Sequence, residues 1–243
     1  MAKIDHLSWS QVDLYLKCPR EYWFRYVRYP ELRKTFTTPA MELGTHYHKA
    51  VENLYNGMPL KEALSQFDDA TTPRKGSDDV VNIRKAIEYY YNYVIPRYKH
   101  LAFEVEQEVK DFYIDGIPVP FEMRIDLILI DDRVIDHKTT SKFRGDVKAE
   151  GNKQMLIYAY RHFRKTGRIP RRMELHKAFK EDCTDRVEID SASVELYDMF
   201  KVVDLVKNVY KMIEMDIFPC TLHSTCATSP FKDEWDQIIL KQR

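Results

Sequence analysis

The chain has 243 residues, 38 Lys and Arg against 38 Asp and Glu, and 44% hydrophobic residues. This reads as a soluble globular protein able to bury a substantial core, and no apolar run approaches membrane-spanning length. A net charge near zero excludes a globally basic nucleic-acid binder, so any such surface must be a local patch.

In chain order, Ser8 or Ser10 can cap a first helix with Val12, Tyr15 and Leu16 on its apolar face. Pro19 opens a second helical stretch over 20–29. Helices are predicted over 40–57, which carries Gly44, His46 and His48, and over 59–70. Pro73 and Gly76 mark a loop over 71–79, and Ile83, Ile87, Tyr90, Tyr91 and Val94 keep helical period up to Pro96.

The texture then changes. Strands are predicted over 103–114, 117–130 and 134–138, with Asp115-Gly116 as the first turn. A helix over 148–165, a strand over 172–179 and a helix from a Ser191 cap to about 216 follow, and helix resumes from Lys232. The N-terminus lacks a signal-peptide apolar region, so a cytoplasmic setting is expected. In that compartment Cys18, Cys183, Cys220 and Cys226 are expected as thiols or metal ligands.

Chemistry concentrates in Asp126, Asp136 and Lys138. Asp136 and Lys138 are two apart and share a strand face. Two carboxylates and an ammonium in otherwise apolar strands are a means of holding a divalent ion beside an activated water, which suggests phosphodiester hydrolysis. The hairpin makes a demand: Asp126 and Asp136 share a face only if the loop has an odd number of residues. The expected loop is Asp131-Asp132-Arg133, pairing 128 with 136 and 126 with 138. The alternative is a surface hairpin with solvated charges.

With these residues in view the chain resembles the PD-(D/E)XK nuclease superfamily in its RecB-like exonuclease branch, over nearly its whole length. The resemblance is carried by Ser8-x-Ser10-Gln, Tyr15-Leu-x-Cys18-Pro19 and Tyr22-Trp-Phe24-Arg-Tyr26. It continues in Gly44-Thr45-x-x-His48, Asp126, Asp136-x-Lys138-Thr139 and Gln154-x-x-x-Tyr158. It implies a single α/β domain over 1–243: a restriction-endonuclease-like mixed β-sheet core flanked by helices (101–215), an N-terminal helical region (1–100) contributing His48, and a tail (216–243).

By the same resemblance His48, Asp126, Asp136 and the His137 carbonyl would bind Mg²⁺ or Mn²⁺, and Lys138 would orient or help deprotonate the attacking water. Gln154 and Tyr158, one helical turn apart, would line the site. The implied activity is metal-dependent DNA cleavage, exonucleolytic on single strands, in recombination, repair or phage DNA metabolism, with DNA and possible repair proteins as partners. The rivals are a binding module without catalysis and a structure- or sequence-specific endonuclease. Some relatives hold an iron–sulfur cluster on four cysteines. Here Cys226 fits one position, but Ser229 and Trp235 replace two others, so no cluster is expected.

Around this set, His46 is off the motif spacing. Glu106 and Glu108 are expected mainly as solvated strand charges. Arg161, Arg164, Lys165, Arg168, Arg171 and Arg172 form the densest basic cluster, either a solvated face or a track for a nucleic-acid backbone.

Overall fold

The computed structural model describes residues 4–30, 37–141, 147–184, 186–221 and 229–241. The chain divides into two units, one of Met1–Phe36, Val109–Met123 and Lys201–Arg243, the other of Thr37–Glu108 and Arg124–Phe200. Among the described residues no helix is long and apolar enough to cross a membrane.

In the first unit, β1 (Leu7–Ser8) leads into α1 (Trp9–Lys17), where Ser8 Oγ, one of the two caps the sequence offers, accepts from the Gln11 N–H at 3.4 Å. Pro19 opens α2 (Pro19–Trp23), which continues into a π-helical turn over Phe24–Arg28. The aromatic residues here are structural. Tyr15 and Tyr22 meet edge to face at 5.5 Å, Tyr22 stacks on Phe218 at 6.2 Å, and Phe24 stacks on Phe231 at 4.7 Å. Such pairs contribute about 0.5–1.5 kcal/mol each beyond their buried area. The Tyr15 hydroxyl also donates to the Ile217 carbonyl, so the opening helices hold the segment that follows the last long helix of the fold.

The second unit begins with α3 (Pro39–Tyr55), α4 (Leu60–Ala70), α5 (Asp78–Tyr89), a π-helical turn over Tyr90–Val94 and α6 (Ile95–Tyr98). Leu43, Tyr47, Val51 and Leu54 recur at helical spacing on α3 and are fully buried. They share one core with Ile83, Ile87 and Tyr90 and with Leu127 and Ile135 of the sheet. Burying each such side chain stabilises the fold by about 1.5–3 kcal/mol.

The remaining strands are β2 (Ala102–Val109), β3 (Phe121–Leu129), β4 (Arg133–Thr140), β5 (Arg172–Phe179) and β6 (Val187–Ala192). They hydrogen-bond in the order β1-β3-β4-β5-β6, with β2 also pairing with β3. β1 is parallel to the start of β3, β3–β4 is antiparallel, β4–β5 parallel and β5–β6 antiparallel. The parallel pair needs a crossover, and α7 (Lys153–Thr166) supplies it. Helices α8 (Leu196–Glu214) and α9 (Lys232–Lys241) follow. The result is the mixed sheet with flanking helices that the family resemblance implied.

Several expectations are corrected, beginning with two starts: β3 begins at Phe121 rather than at 117, and α7 at Lys153 rather than at 148. Residues 187–192 form β6, and Ser191 lies within that strand, so α8 starts at Leu196. β2 ends at Val109, although Ile114 beyond it is buried. The hairpin loop has three residues as parity demanded, but they are Ile130, Asp131 and Asp132. Leu127 pairs with Ile135 and Ile128 with Val134, which sets Asp126 opposite Asp136 rather than Lys138. Asp132 ends the loop at φ +64°, a left-handed conformation that aspartate tolerates better than most residues.

The Asn152 side chain caps α7 by accepting from the Met155 N–H at 3.1 Å. Asn152→Ala is expected to cost about 1 kcal/mol, read as a lower urea midpoint with unchanged slope.

Candidate active site

All the candidate residues lie in the second unit. Gly44 on α3 faces β4, where a Cβ would sit 3.4 Å from Thr139 Oγ1. One turn on, His48 Nδ1 lies 3.3 Å from Asp126 Oδ1 and 3.2 Å from Glu106 Oε1. Asp126 Oδ2 accepts the His137 backbone N–H at 2.6 Å, so a side chain satisfies that buried donor.

On β4, Lys138 Nζ donates to Asp136 Oδ1 at 3.1 Å and to Gln154 Oε1 of α7 at 3.0 Å. Gln154 Nε2 in turn lies 2.6 Å from the hydroxyl oxygen of Tyr158, to which it donates. The helix-turn spacing of Gln154 and Tyr158 thus holds the lysine head beside the carboxylates.

Burial opposes charge throughout, and partners decide the outcome. Burial would lower the His48 pKa, but Asp126 and Glu106 outweigh it and raise it above the usual histidine range. Burial would raise Asp126; the His48 charge and hydrogen bond outweigh it, so its carboxyl is held low. Asp136 goes the other way: burial raises its pKa, Asp126 adds to this, and Lys138 only partly offsets it. Lys138 is raised despite burial, by Asp136 and Asp126, and is an ammonium at neutral pH.

Glu106 corrects the sequence reading, since it is only 7% exposed. It takes φ +47° within β2, a local break that turns its carboxylate toward His48 and toward Arg124, whose Nε donates to it at 2.5 Å. Arg124 also reaches Glu52 at 3.3 Å.

A second group lies behind β4 and was not foreseen. The Tyr90 hydroxyl is 3.0 Å from His137 Nε2 and 2.6 Å from His176 Nδ1, and His176 Nε2 is 3.3 Å from Glu174 Oε2. His137 and His176 are register partners on parallel strands, a juxtaposition readable from the aligned Asp-His-Lys and Leu-His-Lys triplets. Burial lowers the pKa of both histidines, to about 3 for His137.

The donor set suits a divalent cation. His48, Asp126 and the His137 ring offer ligand atoms within 4.8 Å of one another. Asp136 lies outside that group, yet its Oδ2 is buried with no aligned hydrogen-bond donor, although Lys138 Nζ is 2.8 Å away. A buried carboxylate oxygen without an aligned donor has a lone pair left for a metal ion beside the lysine.

The basic cluster is largely paired. Arg161 and Lys165 both bind Glu104, and Arg168 and His162 both reach Asp132 at 2.9 Å. Arg161 is only 7% exposed, which favours a structural role for it over a backbone track. Cys183 and Cys220 are thiols, whereas Cys18 is disulfide-bonded and fully buried, which corrects the expectation of a thiol or metal ligand there; Cys226 lies outside the described residues.

The profile of the PD-(D/E)XK nuclease superfamily matches residues 6–233. No curated protein matches the chain by sequence. The crystal structure of a proposed exonuclease from Eubacterium rectale is similar in fold, with TM-score 0.59 and 12% identity over 93% of this chain and 88% of that one. A second crystal structure, of SSO0001, aligns at 16% identity over 95% of this chain and 85% of its own, with a TM-score of 0.44. The sheet and its helices are of the restriction-endonuclease-like kind. With the paired aspartates, the adjoining lysine and the Gln154–Tyr158 helix all inside the matched span, the chain belongs to the PD-(D/E)XK nuclease superfamily.

Proposed function

We propose that this nuclease is a divalent-metal-dependent deoxyribonuclease that degrades single-stranded DNA from an end, in recombination, repair or phage DNA metabolism. The observation that carries the reading is Lys138 Nζ, bound at once to Asp136 and Gln154. It sets a fixed ammonium beside two buried carboxylates, the arrangement a phosphodiester hydrolase needs. The preference for ends and for single strands is supported by the resemblance to RecB-like exonucleases.

His48, Asp126 and Asp136 would hold the ion, which when bound supplies Lewis-acid polarisation of the phosphate and of the attacking water. The chain's own residues do the rest. Lys138, kept protonated by its carboxylate partners, donates to a phosphate oxygen or orients water instead of taking the proton. Gln154 fixes the lysine head, and Tyr158 fixes Gln154. Glu106 holds the His48 ring in place.

The test is cleavage of end-labelled single- and double-stranded DNA and of closed single-stranded circles, with Mg²⁺, Mn²⁺ or EDTA. The expected result is release of labelled nucleotides from linear single strands, abolished by EDTA, with circles left intact. Circles cut as fast as linear strands would overturn the exonuclease reading. Undiminished cutting in EDTA would overturn metal dependence, and no cutting with any ion would favour a binding module.

A further inference from the structure

The hairpin that joins β3 and β4 ends in an apolar tip for which the cleavage chemistry has no use. Ile130, in its loop, is 58% exposed, Phe103 near the start of β2 is 62% exposed, and Ile169, just beyond α7, is exposed as well. All three lie in the second unit. Scattered exposed apolar residues are ordinary, but a group of them marks an interaction surface. Printed bonds draw this group together. The Ile130 N–H donates to the Leu101 carbonyl at 2.8 Å, the Arg171 N–H donates to the Asp132 carbonyl at 2.9 Å, and Lys165 Nζ stands 5.8 Å from the centre of the Phe103 ring. Asp132 Oδ1 also lies 2.9 Å from both His162 Nε2 and Arg168 Nη2, so the tip is clamped to the end of α7. A surface fixed in advance loses less entropy when a partner binds.

The charge around the tip selects that partner. Lys165, Arg168 and Arg171 surround the apolar group, and the side chains of Arg168 and Arg171 are 64% and 75% exposed. Their acidic neighbours lie deeper: the Asp132 side chain is 21% exposed and that of Glu104, bound to Lys165, is 8% exposed. The outermost charges are therefore cationic, in a chain whose acids and bases otherwise balance. A second copy of this chain seated on the same patch would bring like charges face to face, which opposes association. Single-stranded nucleic acid fits less well than an acidic protein. Binders of it stack successive bases on aromatic rings, and of the three apolar residues only Phe103 offers one. The tip also precedes β4, whereas the carboxylates open to solvent through Lys138, five residues and about 17 Å along that strand from Arg133.

We infer that the hairpin tip and the end of α7 form a docking surface for another protein, which engages it with an acidic segment carrying apolar side chains. Phe103, Ile130 and Ile169 supply the apolar centre of the contact, and Lys165, Arg168 and Arg171 its charged rim. A partner seated there leaves the cleavage site open, so it delivers the nuclease instead of inhibiting it.

The test selects peptides from a random displayed library on the full chain and discards those that also bind the Phe103→Ser, Arg171→Glu double variant. The peptides that remain are expected to be acidic and to carry two or more apolar residues. A synthetic copy of the most enriched one should bind wild type at least 10-fold more tightly than either single variant, and more weakly as salt rises. Cleavage of naked labelled strands should stay within twofold of wild type in both variants, with or without the peptide. No remaining peptide, or remaining peptides without acidic residues, would overturn the inference. Displacement of the peptide by a single-stranded oligonucleotide would assign the surface to DNA and overturn it too. A wild-type dimer that the variants abolish would assign it to a second copy, and a larger loss of cleavage would tie it to catalysis; either result overturns the inference. If wild type cuts no DNA, the proposed function fails while the peptide measurements still decide this one.

Discussion

Asp136→Asn is expected to lower DNA cleavage by on the order of 10³-fold while leaving the protein at least as stable as wild type. The two effects separate because the residue sits where folding alone would not want a charge. Its side chain is 1% exposed, and burial together with Asp126 pushes its pKa up. A carboxyl whose folded pKa is raised above its unfolded value weakens the folded state at pH above that range, where it must ionise. The asparagine amide keeps the shape and removes the charge. Lys138 loses an ion-pair partner, but its side chain is 32% exposed and can take water in compensation, and Gln154 still holds it. The checks are urea denaturation at pH 7 beside end-labelled cleavage. A variant within tenfold of wild-type activity would remove Asp136 from the mechanism, and a large loss of stability would show that its charge serves the fold.

Much of this site was legible because its parts lie within short sequence motifs. Asp126, Asp136 and Lys138 stand in apolar strands where a charge needs a reason, and the parity of the hairpin followed from strand geometry. The register did not, because Ile130 reads as a strand residue but lies in the loop, 58% exposed. β6 was hidden for a related reason: Val187-Glu-Ile-Asp-Ser-Ala alternates, but the polar Asp190-Ser191 pair resembles a helix cap. Strand β5 was read to the residue.

What stayed hidden depends on distant residues meeting. Glu106 looked like a solvated strand charge, and only its left-handed backbone turns it inward. Tyr90 read as one aromatic among several on a helix. Its role exists only because β4 and β5 place His137 and His176 side by side beneath it.

Glu174→Gln is expected to destabilise the protein by about 3 kcal/mol at pH 7 and by much less near pH 3. Glu174 is 4% exposed and receives hydrogen bonds from Tyr98, Arg133 and His176. Burial alone would raise its pKa, but these donors outweigh it and hold the carboxyl down from 4.5 to about 2. A depressed carboxyl contributes stability that is fully present above its unfolded pKa and is lost as pH falls toward the folded one. The gap from 4.5 to about 2 corresponds to about 3 kcal/mol, of which about 2 kcal/mol is gone by pH 3. Glutamine does not titrate, so the wild-type advantage should shrink from pH 5 downward in urea titrations at pH 7, 5 and 3. A difference that stays constant across that range would mean Glu174 acts by shape alone.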